Sequence, residues 1–313
     1  MNRATFVGIL CQPTAGSERP NPTGDRSDYT DGMPNESVLL GGRPVRRMGF
    51  GAMQLPGPGV FGPPRDRDVA LAVVRQAIDA GVNHIDTAQF YGPDVANELL
   101  REALYPYPDD LVIVSKVGAE RNDQGHWVAA QRPEQLRSGV EANLASLGLD
   151  QIPVVNLRRH PESDVPFAEQ LEAMDAIRQD GLIGSIGLSN VDLEQYRTAQ
   201  SLIDPACVQN PYNLADTSGE DVFEACRSDG VPFVPYFPLG SAFNPENPVL
   251  GAASVEVTSR RLGATPAQIA LAWLLQRAST VLLIPGTSSQ THLEDNLAAA
   301  DLVLDKEAQD VLP

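Results

Sequence analysis

From Ser37 onward, short apolar runs alternate with amphipathic segments along the chain. The apolar runs read as strands: "MGFGAMQL", "VNHIDTA", "LVIVSKV", "PVVNLRR", "SIGLSN", "ACVQNPY", "VPFVPYF" and "VLLIPG". Between them, polar and apolar positions recur with helical periodicity, in segments that begin near Asp66, Val95, Pro133, Pro166, Asp192, Gly219, Pro266 and Ser289. The segment "PEQLRSGVEANLASLG" places Leu136, Val140, Leu144 and Leu147 on one helix face. Its Pro133 suits a first-turn position and its Gly148 a C-terminal cap.

Strands that alternate with helices pair in parallel through helical crossovers. An open doubly wound sheet and a closed barrel both satisfy that alternation. A doubly wound nucleotide-binding sheet carries a Gly-rich phosphate turn between its first strand and helix. Here "GFGAMQLPGPG" is rich in glycine but opens no helix. The pattern therefore favours α/β architecture of the (β/α)8 TIM-barrel type. "SVLLGGRPVRR", with Gly41 and Gly42 at its turn, adds an N-terminal β-hairpin cap. Residues 36–313 read as one barrel domain. Residues 1–35, rich in Pro, Gly, Ser, Asn, Asp and Thr without periodicity, read as a disordered extension, and Met33 competes with Met1 as the natural start.

Composition narrows the function classes. A formal charge of −18 argues against nucleic-acid and anionic-membrane partners, which need a basic face, while a locally positive pocket for an anionic cofactor stays open. Cys11, Cys207 and Cys226 form no metal or redox spacing, and an odd count suits a reducing cytosol. No run approaches the roughly 18 apolar residues of a membrane helix, and "MNRATFVGILC" has no convincing signal-peptide flanks. The chain reads as cytoplasmic, without a metal and without an obligate protein partner.

In such a barrel the chemistry gathers at the C-terminal ends of the strands. Those ends read Asp86, Lys116, Arg158 with His160, Ser189 with Asn190, Gln209 with Asn210, and Tyr236. A single polar strand end carries little; a succession of them is hard to attribute to packing. Among 23 basic residues only Lys116 and Lys306 are lysine, so a lysine after "VIVS" suggests that an ammonium is required. Tyr91 follows Asp86 by five positions in "VNHIDTAQFYG". A phenol titrates near pH 10, about three units too high for easy proton donation at neutrality, and a neighbouring ammonium lowers that value. A carboxylate would hold the ammonium in place. Taken singly, Asp86 also reads as a helix or turn cap, Tyr91 as a rim aromatic and Lys116 as a surface lysine.

Together these residues resemble the aldo/keto reductases over about residues 37–305. "VNHIDTAQFYG" is similar to the family's Asp-to-Tyr signature and "IVSKVG" to its lysine strand; "GSIGLSN", "VQNPYNL", "VPYFPLGS" and "IPGTSSQTHLEDN" follow in the family's order. The resemblance implies an NADPH-dependent enzyme that reduces an aldehyde or ketone by hydride transfer, with Tyr91 as general acid and Asp86 and Lys116 tuning it. It further implies that Ser189, Asn190 and Gln209 hold the nicotinamide carboxamide and that Tyr236 stacks on the ring. Leu239, Gly240 and Ser241 would pass near the pyrophosphate. Gly286, Thr287, Ser288, Ser289, His292, Asp295 and Asn296 would surround the adenosine end.

Two departures stand out. The family usually places a histidine after its fourth strand, where "VVNLRRH" carries Arg158. An arginine donates hydrogen bonds to a carbonyl oxygen but cannot shuttle a proton. His160, two residues on, is a candidate substitute on the same strand face. In the adenosine segment, Gly286 and His292 stand where many members have the cations that bind the 2′-phosphate, so NADH remains possible beside NADPH. Within the family, "GPGVFGPP", "VVNLR" and "IPGTSS" resemble a bacterial subgroup that includes pyridoxal reductases. That implies pyridoxal or another aromatic aldehyde as the small-molecule carbonyl substrate, bordered by Trp127, Phe237 and His160. The chain as given ends soon after the last helix, which suggests an open pocket. A ketoreductase of a secondary-metabolite pathway is an alternative. An NADP-binding regulatory subunit with little catalysis is an alternative of another class.

Overall fold

The hairpin forms as its turn chemistry dictates. In the computed structural model, which describes residues 37–240 and 247–313, β1 (Ser37–Leu40) pairs antiparallel with β2 (Arg43–Arg46). Gly41 and Gly42 both adopt positive φ, 58° and 78°, as a two-residue primed turn requires. The expected extension over 1–35, Cys11 and Ser241 lie outside the described residues. All described residues belong to one compact unit of the chain.

Three parallel strands follow: β3 (Phe50–Gly51), β4 (His84–Asp86) and β5 (Val112–Val117). A small antiparallel pair, β6 (Ala119–Arg121) and β7 (Trp127–Ala129), interrupts the loop after β5. The parallel series resumes with β8 (Ile152–Arg158), β9 (Ile183–Ser189) and β10 (Val208–Gln209). These six pair in the order β10-β9-β8-β5-β4-β3. Two further stretches close the cylinder: Val208 bridges Phe233, Phe233 bridges Val281, and Leu283 bridges Met48 at the foot of β3. The Gly49 amide donates to the Leu283 carbonyl at 2.7 Å, and the Leu283 amide to that of Arg47 at 2.8 Å. The ring thus has eight strand positions, the TIM-barrel topology expected. Its seventh and eighth members shrink to bridges because Pro232, Pro235 and Pro285 lack the amide that a longer ladder needs.

Helices cover the outside: α1 (Arg67–Asp79), α2 (Val95–Leu104), α3 (Pro133–Leu147), α4 (Phe167–Gln179), α5 (Leu193–Leu202) and α6 (Glu220–Asp229). They continue with α7 (Ala253–Leu262), α8 (Pro266–Arg277), α9 (Gln290–Ala298) and α10 (Lys306–Val311). Each of the predicted starts meets a helix. Asp66, Asp192 and Thr265 cap their helices by accepting from the amide three residues on, and Gly148 ends α3 with φ +68°. Helices α7 and α10 and the β6–β7 pair were not among the expected elements.

Alternation along the strands divides the core in two. Ile85, Ile113, Val155, Leu157, Ile186, Leu188, Val208, Phe233, Val281 and Leu283 face the helices. Val112, Val114, Val154, Cys207, Val234, Leu282 and Ile284 face inward, together with Leu40 and Val45 of the hairpin, which plugs the lower end. A Cβ on Gly41 would lie 2.7 Å from a methyl of Val154, so the hairpin turn sits hard against β8.

Candidate active site

The same alternation builds the site. Two residues beyond inward-facing Val114 is Lys116, and two beyond His84 is Asp86. In the same way Val154 and Asn156 lead to Arg158, Cys207 to Gln209, and Val234 to Tyr236. The register keeps these ends level: Asp86 pairs Gly51, Arg158 pairs Ser189, and Ser189 pairs Gln209. The inward positions below are buried and mostly apolar, with the His84 and Asn156 side chains enclosed among them. A Cβ on Gly187 would fall 1.9 Å from the Asn156 amide oxygen. Polar groups therefore meet at the upper mouth of the barrel.

There they line a cavity of about 610 Å³ whose wall includes Asp86, Tyr91, Lys116, Arg158, Gln209 and Tyr236. The Lys116 side chain is 2% exposed and forms an ion pair with Asp86. Its Nζ also donates to the Thr87 carbonyl at 3.0 Å, and the second Asp86 oxygen accepts from Gln209 Nε2 at 2.8 Å. Burial by itself disfavours the ammonium, but the Asp86 carboxylate, with Tyr91 adding to it, outweighs that cost and holds the Lys116 pKa above the ordinary lysine value. The ammonium lies 4.9 Å from the centre of the Tyr91 ring. Tyr91, Lys116 and Asp86 thus stand together as a phenol, a fixed positive charge and the anchor of that charge.

An aromatic wall continues from Tyr91. Phe90 meets Tyr91 and Trp127 edge to face, with ring centres 5.4 and 5.3 Å apart. Trp127, 36% exposed, comes from β7 and faces the cavity from its rim. Across from it, the Arg158 guanidinium lies 5.9 Å from the Tyr236 ring centre. Burial raises the Tyr236 phenol pKa, with Arg158 pulling the other way, and the Tyr236 hydroxyl donates to the Asn190 side-chain oxygen. Phe237, with φ +55°, also lines the cavity.

The wall extends past Leu239 and Gly240 to Gly286, Thr287, Ser288 and His292 at the start of α9. Thr287 Oγ1 accepts from the Ser289 amide at 3.0 Å, and Ser289 caps the helix by accepting from His292. The residues present fit a dinucleotide. The Ser189 hydroxyl is enclosed without a hydrogen-bond partner beside Gln209, and a helix start with hydroxyl donors suits a phosphate. Ser189, Asn190, Ser289, Asp295 and Asn296 are not themselves on the cavity wall, although Asn190 is tied to it through Tyr236. Ser241 lies outside the described residues.

His160 is placed elsewhere. It borders a separate groove of about 540 Å³ with Arg159, Asp192, Gln195, Asn210 and Asp221. The strand ends at Arg158, so the alternation that would have returned His160 to the cavity stops before it. Of the pair, only Arg158 faces the cavity. Asn210 is likewise occupied with structure: it donates to the Val191 carbonyl at 2.7 Å and accepts from the Val191 amide.

Other contributors were not foreseen. The Thr87 carbonyl is a backbone group, invisible to residue type. Gln131, buried, donates to the Arg158 carbonyl and pins that strand end. Arg121 donates to the carbonyls of Gly125, Gly59 and Val60 at 2.6–2.9 Å, and its guanidinium lies 3.6 Å over the Trp127 ring. It clamps the loop before α1 to the β6–β7 pair and orients the aromatic wall. An arginine near a tryptophan in the sequence was the only signal, and it does not say which loops the guanidinium joins.

The model of the "Aldo/keto reductase family" matches residues 47–311. The chain is 47% identical over 285 residues to the pyridoxine 4-dehydrogenase of Escherichia coli (strain K12), covering 90% of this chain and 98% of that protein. An uncharacterized oxidoreductase of Schizosaccharomyces pombe is 37% identical, with 90% of each chain covered. Among solved structures, an aldo/keto reductase from Klebsiella pneumoniae in complex with NADP and acetate superposes with a TM-score of 0.74 at 27% identity, covering 88% of this chain and 93% of that one.

Proposed function

The chain belongs to the aldo/keto reductase family, and on that premise we propose that it reduces pyridoxal, or an aromatic aldehyde of similar shape, to the alcohol at the expense of NADPH. It is an oxidoreductase acting on a small carbonyl compound. The observation that carries the reading is the buried Asp86–Lys116 pair set 4.9 Å from the Tyr91 ring in an aromatic cavity. A module that only binds a nucleotide has no use for such a pair.

Gln209, Tyr236 and the Ser189 hydroxyl would hold the nicotinamide end, and Gly286, Thr287, Ser288, Ser289 and His292 the adenosine end. Bound there, NADPH supplies the hydride that the carbonyl carbon receives. The carbonyl oxygen takes its proton from the Tyr91 hydroxyl. As that proton leaves, the Lys116 ammonium offsets the charge on the phenolic oxygen, and Asp86 keeps the ammonium from swinging away. Arg158 donates to the carbonyl oxygen and polarises it, taking the place a histidine holds in many relatives, without exchanging a proton. Phe90, Trp127 and Phe237 close on the ring of the substrate.

Among the described residues no helix is long and apolar enough to cross a membrane. Cys207 and Cys226 are buried and unpaired, which supports a reducing cytoplasmic setting. The protein is expected to act without an obligate protein partner. The test is a panel of pyridoxal, benzaldehyde and a simple ketone, each with NADPH and with NADH, read as alcohol formed. Aldehyde-dependent turnover with NADPH, fastest for pyridoxal, is the expected result. Turnover of none of them would remove the reductase reading, and a preference for the ketone would move the substrate class.

A further inference from the structure

Arg158 is the cavity's unmatched charge. Its backbone is fixed twice: Gln131 donates to its carbonyl, and a Cβ on Gly118 would lie 2.5 Å from the same oxygen. Its guanidinium, by contrast, makes no hydrogen bond or ion pair among the described residues; it faces the Tyr236 ring, 5.9 Å from the ring centre. Among the described residues the cavity wall carries a single carboxylate, Asp86, whose two oxygens are already engaged by Lys116 and Gln209. The other cations near the site are spent as well, Lys116 on Asp86 and Arg121 on three carbonyls. A half-buried guanidinium left without an acceptor has lost hydration for no return within the protein.

Polarising a carbonyl oxygen needs one N–H. A guanidinium presents two parallel N–H groups in one plane, a fork matched to a pair of neighbouring oxygens. Around it Phe90, Tyr91, Trp127, Tyr236 and Phe237 shape the space for a flat aromatic ring. Resting on the reductase reading above, we propose that Arg158 selects aromatic aldehydes that carry a hydroxyl ortho to the formyl group. One N–H meets the carbonyl oxygen and its neighbour meets the ortho oxygen as phenolate. Pyridoxal, a 3-hydroxy-4-formylpyridine, belongs to that class. The ortho oxygen takes no part in the bond changes: carbon gains the hydride, the carbonyl oxygen gains the proton of Tyr91, and the phenolate leaves with the alcohol. Its role is to bring a negative charge to a guanidinium that has no carboxylate partner among the described residues.

The test compares 2-hydroxybenzaldehyde, 4-hydroxybenzaldehyde, 2-methoxybenzaldehyde and benzaldehyde with NADPH and the full chain, by chromatography of the alcohol formed. A hydrogen bond to a charged group predicts that the 2-hydroxy compound exceeds the 4-hydroxy compound in kcat/KM by about tenfold or more. The 2-methoxy compound, of similar shape but without an ionisable oxygen, should fall to the level of benzaldehyde or below. Arg158→Met lowers all rates and removes the 2-hydroxy preference. Arg158→Lys keeps the charge but not the fork and reduces the preference; it carries the comparison if the methionine variant does not fold. Turnover of all the aldehydes without an ortho preference in the wild type overturns this inference and leaves the reductase reading intact. A preference that survives in the variants overturns it too. With pyridoxal run beside them, no turnover of it or of any benzaldehyde rejects the reductase reading and this inference with it.

Discussion

In the proposed chemistry Lys116 and Asp86 act as a pair, because neither charge is stable there alone. With the pair buried, removal of one partner leaves an uncompensated charge at a cost of about 3–5 kcal/mol. The raised pKa has a chemical consequence for an enzyme whose proposed substrate is an aldehyde. An amine must be unprotonated to condense with a carbonyl, and Asp86 keeps Lys116 an ammonium across the neutral range. Incubation with pyridoxal followed by borohydride should therefore label Lys306, the other lysine of the chain, and leave Lys116 unmodified by peptide mapping. A reduced adduct on Lys116 would show that its charge is not held as described.

At the scale of elements, Arg121 joins two loops that share no strand. Its three carbonyl contacts and its stacking on Trp127 order the aromatic wall rather than the acid. Arg121→Met is expected to raise KM for aromatic aldehydes about tenfold with little change in kcat, and to cost about 1–3 kcal/mol of stability. Steady-state kinetics with a melting curve check both; a fall in kcat at constant KM would place Arg121 in the chemistry. Elements also show where sequence is legible. The eight helices with period and cap, such as α3 between Pro133 and Gly148, could be read from residue order. So could the inward polar ends, because alternation on a strand is local. The β6–β7 pair could not, since "AERNDQGHWVAA" has neither period. Nor could Arg121 or Gln131 be assigned, because which loops touch is decided by closure of the whole ring. His160 was misplaced for a related reason: β8 stops at Arg158, two residues before it, so the alternation argument does not reach it.

The closed ring sets a pH limit on the whole molecule through His84. This residue lies at the foot of β4, wholly buried against Gly49, where a Cβ would fall 2.2 Å from its ring. Neither ring nitrogen has a hydrogen bond of good geometry. Burial pulls its pKa down to about 4, against weaker opposing pulls from the backbone of Arg46 and Leu283. Above the ordinary histidine value the ring is neutral whether the chain is folded or unfolded, and stability is insensitive to it. As pH falls from about 6.5 towards 4, the unfolded chain takes up a proton that the native barrel refuses, so stability declines, by about 3 kcal/mol in all. Denaturant melts between pH 7 and pH 4.5 should show that decline, and His84→Leu should flatten it; an unchanged slope would exclude His84 as its source.

In the proposed mechanism Tyr91 gives its proton to the carbonyl oxygen, and that step is best tested where folding is undisturbed. Tyr91→Phe removes a single oxygen and leaves the Asp86–Lys116 pair and the edge-to-face packing on Phe90 in place. With NADPH and pyridoxal, alcohol formation should fall by about 100-fold or more, while NADPH binding by fluorescence titration stays at the wild-type level. Turnover of Tyr91→Phe at the wild-type rate would contradict the account.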